Sequence, residues 1–150
     1  MAKAFQEKKK MIFKTAFMQF VGKEYHKKNW VMQIHYGCKR DNNAFMYEQL
    51  GPDTGYDCIN NYAPSAQTAD FLNSLIASNE LPKTILYSLN PNDNEAIGTI
   101  LGCFQGTEAA GKIQQGSAWW FNDHKTGYDR TDDITWQIWD CFAKLCWHAY

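Results

Sequence analysis

The feature that most constrains the fold of this sequence is an apolar segment that ends near a histidine and gives way at once to a polar loop. Trp30–Tyr36 (WVMQIHY) has the apolar content of a strand, and Gly37 ends it. The loop that follows crowds two cations, an aspartate and two asparagines into residues 39–43. In α/β enzymes, ligand-binding groups lie beyond the carboxyl ends of parallel strands. The segment therefore predicts an α/β fold with a ligand site at this end of the strand.

A helix is predicted before this strand, because apolar residues between Phe13 and Tyr25 recur at helical spacing. The predicted buried stripe consists of Phe13, Ala16, Phe17, Phe20, Val21 and Tyr25. We expect its three phenylalanines to dock the helix on a sheet. Lysines occupy the other face. A solvated outer face explains these lysines better than a membrane-surface helix does, since the phenylalanines suffice for docking.

The rest of the chain continues the alternation of helix and strand. We predict a helix from Ser65, as its cap, to about Ser78, a buried strand over Thr84–Leu89, a helix capped by Asn92, and a short strand over Lys112–Gln115. The predicted buried faces of the two helices are Ala69, Leu72, Leu75 and Ile76, and Ile97, Ile100, Leu101 and Phe104. The order α-β-α-β-α-β implies parallel strands joined by right-handed crossovers. Such strands fit either an open doubly wound sheet or part of a (β/α)8 barrel, which takes roughly 250 residues when complete.

Composition narrows the class of protein. At 150 residues the chain can bury one sizeable core, so one domain is expected. A net charge of −1 argues against nucleic acid as a partner, and no apolar run is long enough to span a membrane. The N-terminus opens on a charged helix and lacks the apolar core of a secretion signal. The five cysteines are odd in number and include no CxxC pair, so we expect reduced thiols in a cytoplasm.

Two residues of the opening segment are candidates for chemistry. His35 sits where a strand would deliver it to a site, although a histidine satisfied inside a packed layer is the more common outcome. Arg40 is a candidate anion clamp, because a guanidinium grips a carboxylate through two hydrogen bonds. From its position alone, a surface salt bridge is an equally good account of Arg40.

Amide and tryptophan side chains are the next candidates. Asn42 and Asn43 can hydrogen-bond sugar hydroxyls or shape a turn. Trp119 and Trp120 end the third strand as His35 ends the first, and adjacent side chains of an extended segment point to opposite sides. One tryptophan can then face a ligand while the other enters the core, although core packing of both is slightly favoured. The sequence contains no HxH or HExxH pair, no GxGxxG or P-loop, and no recognisable nucleophile motif.

Four long segments, taken together, resemble the uronate isomerase family, also called glucuronate isomerase. They are WVMQIHYGCKRDNN (Trp30–Asn43), LGPDTGYDCI (Leu50–Ile59), ELPKTILYSLNPNDNE (Glu80–Glu95) and FQGTEAAGKIQQGSAWWFND (Phe104–Asp123). The resemblance runs from about Phe13 to Gly127, and its segments follow the family's order. It implies a place among the amidohydrolase-like (β/α)8 barrels. We therefore expect a partial barrel of about three parallel β-α units.

The resemblance implies an aldose–ketose isomerisation of a uronate. The family interconverts D-glucuronate with D-fructuronate and D-galacturonate with D-tagaturonate, as a proton moves between C2 and C1, often beside a divalent metal such as zinc. It implies a catalytic His35 and places Arg40 against the uronate carboxylate. It also implies substrate binding by Asn43 and by the paired Trp119 and Trp120. A small-molecule uronate is the expected partner, and the resemblance is compatible with a homo-oligomer of the complete enzyme.

Two parts of the family's pattern are missing from this sequence. The metal-binding His-x-His lies on the first barrel strand, upstream of anything present here. The Asp-Ser-Arg motif, which supplies a metal-binding aspartate and a substrate-binding arginine, should follow Gly127 and does not. We therefore expect zinc in the complete family enzyme and expect its ligands to be absent from this chain.

The sequence after Gly127 indicates a frameshift. When codons are read one nucleotide later, each tryptophan that precedes Gln, Asp or His must become glycine. Lys144–Tyr150 can then spell Asn-Phe-Val-Gly-Met-Leu-Thr, which the family carries before Asp-Ser-Arg. We predict that residues 1–127 form a partial uronate isomerase barrel and that residues 128–150 are an out-of-frame tail without a selected fold. Sequencing the gene across codons 127 and 128 tests this, because an intact frame there rules it out.

Three functions compete on these grounds. The first is uronate isomerase activity, and the second is an inactive truncated remnant with no activity of its own. A small carbohydrate-binding module comes last, because only the tryptophan pair supports it. Ketose formation from D-glucuronate in the presence of zinc separates the first two, and we expect no turnover by the isolated chain.

Overall fold

A parallel sheet with strand order β1-β4-β5 lies at the centre of the molecule. The computed structural model describes residues 2–62, 64–106, 108–109 and 111–134. The elements in chain order are α1 (Ala2–Lys27), β1 (Met32–Tyr36), β2 (Cys38–Lys39), α2 (Ala44–Leu50), β3 (Cys58–Ile59), α3 (Ser65–Ile76), β4 (Thr84–Ser88), α4 (Asn94–Cys103) and β5 (Ile113–Gln115). Short 3-10 helices span Pro91–Asp93 and Trp120–Asn122, and residues 125–134 are helical. The predicted alternation and the parallel sheet are confirmed.

The register of the sheet sorts its side chains onto two faces. Met32 pairs with Thr84, and Thr84 pairs with Ile113, so the three strands start level. Because side chains alternate along a strand, residues paired across the sheet share a face. One face is packed against helices. The second face, which we call the open face, carries Gln33, His35, Ile85, Tyr87 and Gln114, all exposed or half-buried.

The core lies between the sheet and helices α3 and α4. Leu72, Leu75 and Leu86 have no accessible surface, and burying a side chain of this size contributes about 1.5–3 kcal/mol. The buried core cluster contains Met32, Leu72, Leu75, Leu81, Leu86, Ile97, Ile100, Leu101, Phe104 and Ile113. The predicted inner face of α4 is confirmed in full. In α3 the prediction for Ile76 is wrong, because this last helical residue lies at the exposed turn of residues 77–79.

Helix α1 docks through only the C-terminal part of the predicted stripe, where Tyr25 packs against the buried core cluster. Phe13, Phe17 and Phe20 are exposed by 71%, 55% and 62%, so the prediction that they dock the helix is wrong. Gly22 is buried as well and lies against Leu75 of α3. A Cβ added there would come within 2.8 Å of Leu75 Cδ1. At 100° per residue the phenylalanines lie roughly 140–200° around the helix from Gly22, on the far side. None of the helices within the described ranges is long and apolar enough to cross a membrane.

The segment between β1 and α3 contains regular secondary structure. Strands β2 and β3 pair antiparallel, with Cys38 opposite Ile59, and α2 lies between them. Gly51 and Gly55 have positive φ values of 83° and 95°, a conformation that glycine adopts without steric strain, and they turn the chain between α2 and β3. The Asn60 backbone N–H donates to the Gly37 carbonyl oxygen, which ties the end of this segment back to the end of β1.

Two predicted helix caps are wrong. The N-cap of α3 is Pro64, and Ser65 is its first helical residue. The N-cap of α4 is Asp93, and the residue that caps by its side chain is Asn90, which accepts a hydrogen bond from the Asn92 backbone N–H. The chain makes a 3-10 turn before α4, so the capping position falls two residues earlier than the sequence pattern indicates.

Candidate active site at the carboxyl ends of β1 and β5

A row of aromatic rings joins the carboxyl ends of the strands. The His35 ring is stacked on Tyr87, with centroids 4.2 Å apart and planes 5° from parallel. Trp119 meets the His35 ring edge-on at 4.7 Å, and Trp120 lies 5.6 Å from Trp119. We call His35, Tyr87, Trp119 and Trp120 the aromatic row. The guanidinium of Arg40 lies over the Trp120 ring, 5.0 Å from its centroid. Four of the five predicted site residues are therefore in one continuous set of contacts.

The register of β1 and β4 explains the first stack of the row. His35 is paired with Tyr87, so both side chains leave the same face of the sheet side by side. Gly116 follows β5 and makes room for the tyrosine, because an added Cβ would overlap the Tyr87 ring. Tyr87 was missed by the sequence reasoning. Its signal was available, since it lies one residue before the end of its strand, as His35 does.

The two tryptophans lie together rather than on opposite sides of the chain. Trp119 is extended, with φ −142° and ψ 145°, whereas Trp120 has a φ of 52°. That change of backbone turns the second ring toward the first. Trp120 is 37% exposed and Trp119 is half-buried. The expectation that one or both enter the core is therefore wrong. A positive φ is rare for a bulky residue and is found disproportionately at functional sites.

Arg40 is held by two carboxylates from the far end of its loop. Its Nη1 lies 3.2 Å from Asp53 Oδ1 and 3.0 Å from Asp57 Oδ2. The Asp57 side chain is 2% exposed, while those of Asp53 and Arg40 are 77% and 54% exposed. Neither of these contacts uses Nη2 or Nε. The surface salt bridge predicted as one account of Arg40 is therefore present, and the guanidinium also faces the aromatic row.

The two asparagines of the loop serve its backbone. Asn43 caps α2, since its Oδ1 accepts a hydrogen bond from the Met46 backbone N–H at 3.1 Å. Asn42 donates from Nδ2 to the carbonyl oxygens of Lys39 and Tyr56, at 2.6 and 3.3 Å. These bonds shape the loop that carries Arg40. A sugar-binding role for Asn43 stays a prediction.

Two titratable groups beside the site have raised pKa values. Burial, with a smaller contribution from the nearby Asp93 carboxylate, raises the pKa of Tyr36 to about 12, against a lowering effect of its hydrogen bond with Ser88. Burial is also the largest cause of the raised pKa of the Cys38 thiol, and Arg40 only partly opposes it. A raised pKa keeps a thiol protonated, so Cys38 is not an activated nucleophile.

The described residues do not fit a zinc ion. Within them, no group of three or more His, Cys, Asp or Glu side chains is placed to hold a metal. The acidic residues nearest the site are already engaged: Asp57 by Arg40 and the Asp41 N–H, and Asp41 by the Asp53 N–H. We assign no step of a reaction to a metal on this chain.

The fold is that of part of an α/β barrel, a class of enzyme in which ligand groups lie beyond the carboxyl ends of parallel strands, where the aromatic row and Arg40 lie here. The family model for glucuronate isomerase (UxaC) matches residues 1–137. This chain belongs to the glucuronate isomerase family. The match ends inside the predicted out-of-frame tail, and most of that tail, residues 135–150, lies outside the described residues, so the tail hypothesis stays a prediction.

Individual proteins support the same assignment. The chain is 73% identical to the uronate isomerase of Lachnospira eligens over 115 residues, which cover 77% of this chain and 25% of that protein. It is 60% identical to the uronate isomerase of Endomicrobium trichonymphae over 132 residues, covering 88% and 28% of the two chains. The chain therefore spans about a quarter of the length of the curated relatives it matches.

Solved structures confirm the predicted fold class, a partial (β/α)8 barrel. The crystal structure of uronate isomerase from Thermotoga maritima matches 81% of this chain and 25% of its own, with a TM-score of 0.69 and 31% sequence identity. Glucuronate isomerase from Caulobacter crescentus covers 81% of this chain and 24% of its own, with a TM-score of 0.62 and 22% identity. At that lower identity the likeness shows the fold alone.

Proposed function

We propose that this chain carries the substrate-holding surface of a uronate isomerase, and that it binds a uronate such as D-glucuronate along the aromatic row. The observation that carries the proposal is the unbroken series of contacts from Arg40 through Trp120 and Trp119 to His35. A cation stands at one end of the series and an imidazole at the other. A uronate is built in the same way, with a carboxylate at C6 and the reacting carbons at C1 and C2.

Each group in the row has a role that suits this ligand. The Arg40 guanidinium would take the carboxylate through charge-assisted hydrogen bonds. The tryptophan faces would pack on the C–H groups of the sugar, since large aromatic rings offer apolar area with few rotors to order. His35, fixed by Tyr87 and Trp119, would lie beside C1 and C2, where the aldose–ketose exchange needs a group that moves a proton.

The complete reaction is proposed for the whole family protein rather than for this chain alone. That reaction is the interconversion of D-glucuronate with D-fructuronate and of D-galacturonate with D-tagaturonate, in the cytoplasm, by an enzyme that uses zinc and forms a homo-oligomer. One observation favours a second candidate, a remnant with no activity of its own: the described residues place no group of three or more His, Cys, Asp or Glu side chains where it could hold a metal. Both candidates predict no turnover by this chain, but only the first predicts uronate binding.

A titration followed by NMR tests the proposal. The indole N–H signals of Trp119 and Trp120 are assigned from the Trp119→Phe and Trp120→Phe variants and followed while D-glucuronate is added. We expect both signals to shift, with a Kd on the order of millimolar, because only one wall of a binding site is present. D-Glucose, which lacks the carboxylate, should shift them far less.

Matched variants make the titration specific to Arg40. Arg40→Gln should abolish the response to D-glucuronate, while Lys39→Gln, which removes an exposed cation one position away, should leave it intact. Ketose is measured in the same samples with zinc added. Binding without ketose supports the proposal, and ketose formation would show that the chain isomerises uronates by itself. Absence of any shift would leave the inactive remnant as the better account.

A further inference from the structure

We propose that the two carboxylates on Arg40 have opposite roles: Asp57 fixes the guanidinium, and Asp53 occupies the position of the substrate carboxylate and leaves it when a uronate binds. This inference rests on the proposed function and adds two specificity-determining residues to it. The observation behind it is an asymmetry, since both carboxylates contact Nη1 but their side chains are 2% and 77% exposed.

The Asp57 carboxylate is buried within the loop and is hydrogen-bonded there through both oxygens. Its Oδ2 accepts from Arg40 Nη1 at 3.0 Å and its Oδ1 accepts from the Asp41 backbone N–H at 2.9 Å. Both oxygens are thus engaged while the side chain is almost fully buried. Removing such a carboxylate from its partners would leave a buried charge unpaired, which is strongly unfavourable. Asp57 therefore stays in place and holds the guanidinium over Trp120.

The Asp53 side chain makes its ion pair with Arg40 at the solvent-exposed surface. Its carboxylate contacts Arg40 at 3.2 Å, and an ion pair this exposed is easily replaced by solvent or another anion. Its backbone N–H donates separately to Asp41 Oδ1 at 3.2 Å. The turn can therefore keep its place through Asp41 when the Asp53 side chain swings away.

The charge balance at Arg40 supports the exchange. One guanidinium beside two carboxylates has a net charge of −1, which repels an incoming anion. If the uronate carboxylate replaces that of Asp53, the guanidinium again has two carboxylate partners and the local charge is unchanged. The Asp53 carboxylate thus occupies the position on Arg40 that the ligand carboxylate takes when a uronate binds. It should lower the affinity of the site for every carboxylate, so that the sugar contacts decide what binds.

Two substitutions test this in opposite directions. Asp53→Asn removes the competing carboxylate, so D-glucuronate should bind about two- to fivefold more tightly, which is the usual strength of an exposed ion pair. Asp57→Asn removes the carboxylate that fixes Arg40, so binding should weaken by about tenfold or more. Asp70→Asn, a loss of charge at an exposed position of α3, is the control and should change nothing.

A second readout reports on Arg40 without any ligand. The Arg40 Nε–H proton should be displaced by the ring current of Trp120, and Trp120→Phe should reduce that displacement. We expect the signal to keep its position in Asp53→Asn and to move toward its free value in Asp57→Asn. A purely structural role for Asp57 would move the melting temperature but leave this signal unchanged in the folded protein.

The outcomes separate this proposal from the proposed function. If both variants bind D-glucuronate more tightly, the carboxylates act only as negative charges beside Arg40, and the proposal is overturned while the function stands. The proposal is also overturned if Asp53→Asn binds no better than the wild type. If no variant binds D-glucuronate, the proposed function fails together with the exchange at Asp53, and an Arg40 signal that moves only in Asp57→Asn would still support the fixing role of Asp57.

Discussion

The two faces of the parallel sheet differ in what holds them together. Leu86 and Tyr87 are neighbours in β4, yet Leu86 has no accessible surface and Tyr87 stacks on His35 at the open face. The packed face consists of ordinary aliphatic side chains against α3 and α4. The open face carries the stacked rings of His35 and Tyr87, for which Gly116 leaves room, and beyond it the ion pair of Arg40 with Asp57 lies in the loop after β1. Folding free energy therefore comes mainly from the packed face of the sheet, whereas the groups proposed to bind the ligand lie at and beyond the open face.

The largest expected effect is on the packed face. Leu86→Ala should lower the free energy of unfolding by about 2–5 kcal/mol, because it removes a fully buried side chain and leaves a cavity. Ile85→Ala, one residue along but on the open face, should cost clearly less. Urea denaturation followed by circular dichroism measures both. If Leu86→Ala does not fold, Ile97→Val, with an expected cost of about 0.5–1.5 kcal/mol, takes its place. Equal costs at the two positions in β4 would show that the packed face and the open face contribute equally to stability.

The second-largest effect is a loss of stability at high pH, caused by ionisation of Tyr36 at the end of β1. The folded-state pKa of Tyr36, about 12, lies above its ordinary value of 10.0. The folded protein therefore holds this proton more tightly, and the stabilisation is complete below about pH 10 and lost as the pH rises toward about 12. The loss should approach about 2 kcal/mol, a little under the full equivalent of the shift, because Tyr36 is only half-buried. Unfolding free energies measured from about pH 9 to about pH 11 should fall in the wild type and fall less in Tyr36→Phe.

A third substitution tests the open face. Gly116→Ala should cost about 1–3 kcal/mol, because the added methyl group overlaps the Tyr87 ring and forces it to move. Gly102→Ala is the matched control. A Cβ at Gly102 meets no described atom within 4 Å, and alanine there should stabilise α4 by about 0.5–1 kcal/mol. Stacking on Tyr87 should shift the His35 ring protons upfield in NMR spectra, and of these two variants only Gly116→Ala should remove that shift. An unchanged His35 signal would mean that Tyr87 does not fix the imidazole.

The smallest effect concerns the ion pair between α1 and the loop before β4. Lys23 Nζ lies 2.6 Å from Glu80 Oε2, and this hydrogen bond is the main cause of a lowered Glu80 pKa. A lowered carboxyl pKa contributes stability that is present above the ordinary value of 4.5 and is lost as the pH falls through the folded value. Lys23→Gln should therefore flatten the acid limb of the stability curve. Lys14→Gln, an exposed change on the same helix, should not.

The packed face was largely predictable from the sequence. Leu72, Leu75, Ile97 and Leu101 recur at helical spacing, and that period alone fixes which side of α3 and α4 is buried. The same reasoning failed for α1. There the three phenylalanines of the predicted stripe are exposed, only Tyr25 of the stripe packs on the core cluster, and Gly22 provides the close approach to α3. Hydrophobic period shows which side of a helix is apolar, but it does not show which neighbour is present to cover it.

The site was predictable only in outline. The rule that parallel strands present ligand groups at their carboxyl ends brings His35, Arg40 and the tryptophan pair together. It does not identify Asp57 as a partner of Arg40. Strands β2 and β3, next to which these two residues lie, are only two residues long, which is too short for a periodic pattern to predict their pairing. It also does not give the backbone of Trp120, whose φ of 52° brings its ring against Trp119. These contacts depend on tertiary structure that no local pattern encodes.

The most direct test of the central claim is the set of intermolecular nuclear Overhauser effects between D-glucuronate and the labelled chain. The account predicts effects from the sugar-ring protons to the indoles of Trp119 and Trp120, with H5, next to the carboxylate, closest to the Trp120 and Arg40 end and H1 closest to His35. Effects in the reverse order, or to residues away from the aromatic row, would contradict it.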